Sequence, residues 1–157
     1  TNGGDSWTRK FKIGGSTSDD GNGVNVRDVE WADNGTASVL YAATRSGFYR
    51  SDNGGSTWLA KNSGLQTSDN GVVNAWSVAV HPTKPCIVWV SIKAKGGVYK
   101  STNWGDSWTK ITNGIAVDTN WDHDYTNIAV SQQLSSSNSD NPANMFVVNS
   151  GWQDLYR

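Results

Sequence analysis

Cysteine, methionine and glutamate each occur once in this 157-residue chain, histidine twice and proline three times. A single Cys86 cannot close an internal disulfide, and it leaves the redox compartment open. No apolar run approaches the roughly 18 residues that a membrane-spanning helix needs. Thirteen basic and fourteen acidic residues give a net charge of −1, with no basic stripe and no acidic tail. Nucleic acid and anionic membrane are therefore disfavoured as partners. No ten-residue window carries a 3.6-residue apolar period, which excludes a helical solenoid. No signal-peptide pattern is read in the sequence as it stands, and Met145 is its sole methionine. A piece of a longer or processed protein is expected.

What is abundant points elsewhere. Seventeen Gly, nine Trp and five Tyr stand among many Asn, Ser and Thr. This composition suits an all-β protein with many tight turns. Low Lys and Glu with high Asn, Ser, Thr and Trp is also the composition of secreted or cell-surface bacterial proteins. The chain repeats itself. "YRSDNGGSTW" at 49–58 returns as "YKSTNWGDSW" at 99–108, and "TNGGDSW" at 1–7 is the tail of the same phrase. The closing residues Trp7, Trp58 and Trp108 lie 51 and 50 residues apart. Tyr156 follows Tyr99 by 57, the excess being the polar insertion "SSSNSDN" at 135–141.

The rest of each unit aligns as well. "VNVRDVEWAD" (24–33) matches "VNAWSVAVHP" (73–82) and "YTNIAVSQQL" (125–134). "SVLYAAT" (38–44) matches "CIVWVSI" (86–92) and "NMFVVNS" (144–150), and "GFYRS" matches "GVYKS" and "DLYR". Each unit thus holds four short β-patterned runs of four to six residues, A to D, separated by turn residues. Four short strands every ~50 residues is the signature of a β-propeller blade. The expected architecture is three four-stranded antiparallel blades over 1–157, bounded near 24, 73 and 125, with 1–13 the last strand of a preceding blade. Three blades alone rarely close a ring. The further blades come either from the same chain or from another copy, since "LYR" joined to "TNGGDSW" nearly restores the phrase.

The phrase resembles the Asp-box, or BNR repeat, Ser-x-Asp-x-Gly-x-Thr-Trp. The matching residues are Ser51, Asn53, Gly55 and Trp58; Ser101, Asn103, Gly105 and Trp108; and Asn2, Gly4 and Trp7. The resemblance covers the whole chain and implies architecture. Chemically the phrase is a C–D hairpin turn. The Asx oxygen accepts a backbone N–H two residues on, Gly supplies positive φ, and the Trp is an apolar plug with one donor. Asn fills the Asp slot in all three copies, so acid–base work there is disfavoured.

Strand parity then sorts the loops. A–B and C–D turns share one end of a blade, and B–C and D–A loops share the other, where propeller ligands usually sit. The D–A loops, 12–23, 61–71 and 112–124, each carry Asp or Asn, among them Asp69. The third reads Asp118, Asn120, Asp122, Asp124, alternating oxygen ligands that resemble a calcium loop. It lacks the Gly and the Glu that an EF-hand wants, so calcium stands beside a solvated polar loop with no cofactor. Trp121, His123 and Tyr125 adjoin these acids, as rings and carboxylates adjoin in carbohydrate clefts. Trp104 and Trp152 sit in turns and are candidate exposed platforms, and Arg45 lies in a B–C turn.

Asp-box propellers include sialidases, xyloglucan hydrolases, sortilin-type receptors and photosystem-assembly-type scaffolds. A sialidase needs an arginine triad with a Tyr–Glu pair, and no triad can be assigned from Arg9, Arg27, Arg45, Arg50 and Arg157 with Glu30 alone. The xyloglucanase propellers are the nearer look-alikes. That resemblance implies a catalytic aspartate after strand B, in a phrase such as Tyr-Ala-Arg-Thr-Asp-x-Gly-Gly-x-Tyr-Arg. Arg45, Lys93 or Ser150 falls at that place here, so no catalytic residue is assigned. Asp28, Glu30, Asp118 and Asp122 remain as carboxylates with nothing to select a pair. The expected function is a secreted or cell-surface scaffold or binding module, non-catalytic in this segment, with a polysaccharide or another surface protein as partner. The alternatives are a segment of a xyloglucanase-like hydrolase and a structural subunit of an extracellular assembly.

Overall fold

A computed structural model describes residues 4–6, 25–33, 35–36, 38–67, 71–93, 96–113, 125–131, 145–149 and 154–156. They form eleven strands and no helix. The first sheet is β1 (Val26–Asp33), β2 (Ser38–Thr44), β3 (Gly47–Ser51) and β4 (Leu59–Ala60), in that order. The second repeats it with β5 (Ala75–Val80), β6 (Val88–Ile92), β7 (Gly97–Ser101) and β8 (Thr109–Lys110). The third holds β9 (Tyr125–Val130), β10 (Met145–Asn149) and β11 (Asp154–Tyr156). All pairing is antiparallel between sequence neighbours. No helix among the described residues is long and apolar enough to cross a membrane.

These sheets are β-propeller blades. Strands β1, β5 and β9 lie side by side across blades, so the first strand of each sheet is the inner one. The register explains the burial. Pairs such as Tyr41↔Arg50 and Val78↔Val90 put alternate residues on opposite faces. Tyr41, Ala43 and Phe48 of blade one meet Val78, Val88, Val90, Tyr99 and Trp108 of blade two in one core cluster. On the other side of blade two, Ala79, Trp89 and Val98 meet Ile128 and Val147 of blade three. Hydrophobic sandwiches between blades thus replace a single central core.

The outer strands are shorter than the four to six residues expected, each being two residues long. One further bond continues each ladder in register, but in blade one the return donor Phe48 N–H is taken by Asn62 Oδ1 at 2.8 Å. Lys61 N–H reaches Phe48 O at 2.8 Å, and Ile111 N–H reaches Val98 O at 2.8 Å.

The two described boxes share one bond pattern. Ser51 Oγ accepts Asn53 N–H and Gly55 N–H, and Ser101 Oγ accepts Asn103 N–H and Gly105 N–H. The Asn oxygen accepts from the residue four on, not two: Thr57 N–H at 2.9 Å and Ser107 N–H at 3.0 Å. The N–H groups two on belong instead to the serine. Asn53 Nδ2 also donates to Thr57 Oγ1, and Asn103 Nδ2 to Ser107 Oγ, both at 2.9 Å. An aspartate could only accept in that contact, from the hydroxyl. Positive φ falls on Gly54 (65°) and Gly55 (86°) in one box, and on Trp104 (63°) and Gly105 (81°) in the other. Gly4 also has positive φ, whereas Asn2 and Trp7 lie outside the described residues.

The two closing tryptophans differ. Trp108 is buried against Phe48, edge-on at 4.8 Å, and its Nε1 donates to Lys61 O at 2.9 Å. Trp58 is only half-buried. Trp104, expected as an exposed platform, is partly buried against the same core and has a left-handed backbone.

Candidate functional site

Each inner strand begins with a β-bulge. Register slips between Val26 and Asp28 on β1, between Ala75 and Ser77 on β5, and opposite Val148 and Asn149 on the third sheet. The extra residues are Arg27, Trp76 and Thr126. A bulge re-aims the side chain it carries and is common beside functional sites. Here the backbone device repeats while the residue on it changes from blade to blade.

Two of the bulged residues meet. The Arg27 guanidinium lies over the Trp76 indole with Cζ 3.8 Å from the ring centroid. Its Nη1 donates to Asn74 Oδ1 at 2.6 Å and to Ala75 O at 3.3 Å. Lys93 Nζ is 4.8 Å from the same ring. The indole quadrupole attracts both cations, and such contacts are worth about 0.5–2 kcal/mol each according to exposure. Lys93 is placed by its own N–H, which donates to Asn74 O at 2.9 Å, and Arg45 by the matching bond to Asn25 O at 3.0 Å. The β2–β3 turn and the end of β6 thus bring Arg45 and Lys93 to the bulge end of blades one and two.

Of the residues expected to bind ligand, Arg45 lies in the exposed β2–β3 turn at this end. Tyr125 opens β9, opposite Asn149. Trp121, His123, Trp152 and Asp69 lie outside the described residues, as do Asp118, Asn120, Asp122 and Asp124 of the candidate calcium loop. Sequence reasoning missed Arg27, Trp76 and Lys93. The bulge that joins them leaves no mark in the alternation of apolar residues, and their contact crosses from one blade to the next.

The carboxylates fall elsewhere. Asp28 Oδ2 accepts Ser77 Oγ–H at 2.8 Å and Val78 N–H at 2.9 Å, which ties β1 to β5. Ser77 Oγ in turn accepts Ile128 N–H at 3.4 Å from blade three. This acid is a strut between inner strands. Glu30 and Asp33 line a cleft of about 430 Å3 at the opposite, Asp-box end, with Trp31, Val80, His81, Pro82 and Pro85. Burial, helped by the charge of Asp28, raises the Glu30 carboxyl above the ordinary range. His81 is held as a structural cap: its Nδ1 accepts Thr83 N–H and Lys84 N–H, and its ring stacks on Trp89.

Two solved structures are similar to this chain, and the one with the higher TM-score agrees with the propeller fold. An ancestral GH74 enzyme of known crystal structure superposes with a TM-score of 0.52 at 19% identity, over 84% of this chain and 20% of that one. The GH74 enzyme of Niastella koreensis gives 0.47 at 20% identity, over 74% and 19%. The chain therefore spans about a fifth of either enzyme. No family model and no curated protein matches it.

Proposed function

We propose that this chain is a non-catalytic propeller module, secreted or cell-surface, that binds polysaccharide at its bulge end. The observation that carries the proposal is the Arg27–Trp76–Lys93 cluster at the blade end that also holds Arg45, with Arg45 and Lys93 where the xyloglucanase phrase would put a catalytic aspartate. A cation cannot take a proton from water or give one to a leaving sugar oxygen at neutral pH as a carboxyl does. Guanidinium, ammonium and indole groups held in place do suit an oxygen-rich ligand, because little side-chain freedom is left to lose on binding. The Asp-, Trp- and His-bearing loop 112–124 belongs to the same reading, with calcium as an optional stabiliser of that loop.

The test is retention of the purified chain on insoluble plant and bacterial polysaccharides, with reducing ends assayed alongside. Retention without new reducing ends supports the proposal. Failure to bind any of them contradicts it.

A second reading, a hydrolase segment, has its own observation. Glu30, with its raised carboxyl, shares a cleft with Asp33 and the exposed Trp31, and two carboxylates are what glycoside hydrolysis uses. That reading expects reducing ends from the wild-type chain and none from Glu30→Gln.

A further inference from the structure

The dipeptide Val-Asn precedes the inner strand of blades one and two, at 24–25 and 73–74. In blade two the backbone of Asn74 is fixed by its neighbours. Val73 and Ala75 are both buried in the core between the two blades. Ala75 pairs with Ile92, and the next residue, Lys93, donates its N–H to Asn74 O at 2.9 Å. Only the two side-chain torsions of Asn74 then remain to be set. They are set by a contact across the junction between blades.

That contact is with Arg27, 47 residues earlier in the chain. One guanidinium nitrogen, Nη1, donates to Asn74 Oδ1 at 2.6 Å and to Ala75 O at 3.3 Å. A hydrogen bond from a cation is strong at the first distance and weak at the second. Arginine has only donors, so the carboxamide turns its oxygen to it. This bond fixes where the guanidinium stands, with Cζ 3.8 Å from the centroid of Trp76, which rides on the bulge two residues after Asn74. The carboxylate next to Arg27 in sequence has another task, since Asp28 Oδ2 accepts from Ser77 and Val78. Asp28 ties the inner strands together, and Asn74 aims the cation. One residue thus holds Arg27 by its side chain and Lys93 by its main chain, both on the same indole.

We infer that Asn74 is the positioning residue of the bulge end. Its carboxamide oxygen keeps the Arg27 guanidinium stacked on Trp76 before any ligand arrives. The inference rests on the reading of that end as a polysaccharide site, and it says what makes the site ready. An arginine side chain is rich in rotamers, and one left to swing must be immobilised when the ligand binds, at a cost in affinity. A pair already locked across the junction has met that cost during folding. The role belongs to the side-chain oxygen alone, because the main-chain carbonyl that holds Lys93 is present whatever residue stands at 74.

NMR of the unliganded chain, isotopically labelled in arginine, tests this. The ring current of an indole shifts the protons of an arginine stacked on it upfield, and Trp76→Leu identifies the Arg27 signal by abolishing that shift. Asn74→Ala should lose the shift. Asn74→Asp, which still offers an oxygen to Arg27, should keep it. Retention on the polysaccharide that holds the wild-type chain should weaken roughly three- to tenfold for Asn74→Ala and return close to wild type for Asn74→Asp. Thermal melts of both variants establish that each is folded. The shift is read without ligand, so it decides the role of Asn74 separately from polysaccharide retention by the wild type, on which the binding reading stands or falls. An Arg27 signal that stays upfield in Asn74→Ala overturns the inference, as do loss of the shift in Asn74→Asp and undiminished retention of an Asn74→Ala chain whose shift is gone.

Discussion

The two ends of the blades obey different rules. At the Asp-box end, blades one and two carry the same residues making the same bonds: Ser51 and Ser101, Asn53 and Asn103, Gly55 and Gly105. At the bulge end the backbone repeats and the side chains do not, with Arg27, Trp76 and Thr126 in equivalent places. Repetition at one end reflects a turn that every blade must make. Variation at the other, on an equally regular backbone, marks residues released from that duty. The conspicuous phrase is thus the structural one, and the inconspicuous strand starts carry the candidate site.

Substitutions can break this contrast, and the largest effect is expected at the box end. Trp108→Ala removes the plug between blades one and two and should cost about 3–5 kcal/mol, read from chemical unfolding. Trp58→Ala, in the same phrase but half-buried, should cost clearly less in dilute solution. Next comes Gly64, whose φ is +89° and where an added Cβ would lie 2.3 Å from Trp108 O. Gly64→Ala should lose roughly 1–3 kcal/mol through strain and displacement of that box. Ser101→Ala deprives Asn103 N–H and Gly105 N–H of their acceptor and should cost about 1–2 kcal/mol.

The smallest effect concerns pH. Burial, and then Lys84 and Lys100, hold His81 below its ordinary pKa. The unfolded chain then binds the proton more readily than the folded one. Stability should fall as pH drops below about 6.5, and the loss should level off beneath the lower folded value. Urea midpoints at pH 7.5 and 5 would show this, and His81→Gln should flatten the difference.

How much of this was legible in the sequence follows from the physics. Strands β2, β3 and β7 run where alternation and the repeat put them, because period-2 patterning and turn residues are local signals. The blade-on-blade core follows from the same alternation. Outer-strand length was not legible, since it depends on side-chain acceptors such as Asn62 Oδ1, which takes Phe48 N–H from the ladder. Nor was the partial burial of Trp104, a left-handed residue where the companion box has Gly54. The Arg27–Trp76 contact was hidden most deeply. It needs a bulge in each of two strands and the lateral packing of two blades, neither of which a linear pattern encodes.

The most direct test of the central claim is a paired measurement on Trp76→Ala: melting temperature and retention on the polysaccharide that holds the wild-type chain. The account predicts a Tm within a few degrees of wild type, binding weakened roughly tenfold or more, and no reducing ends from either protein. Undiminished binding by a folded Trp76→Ala chain, or sugar released by the wild type, would contradict it.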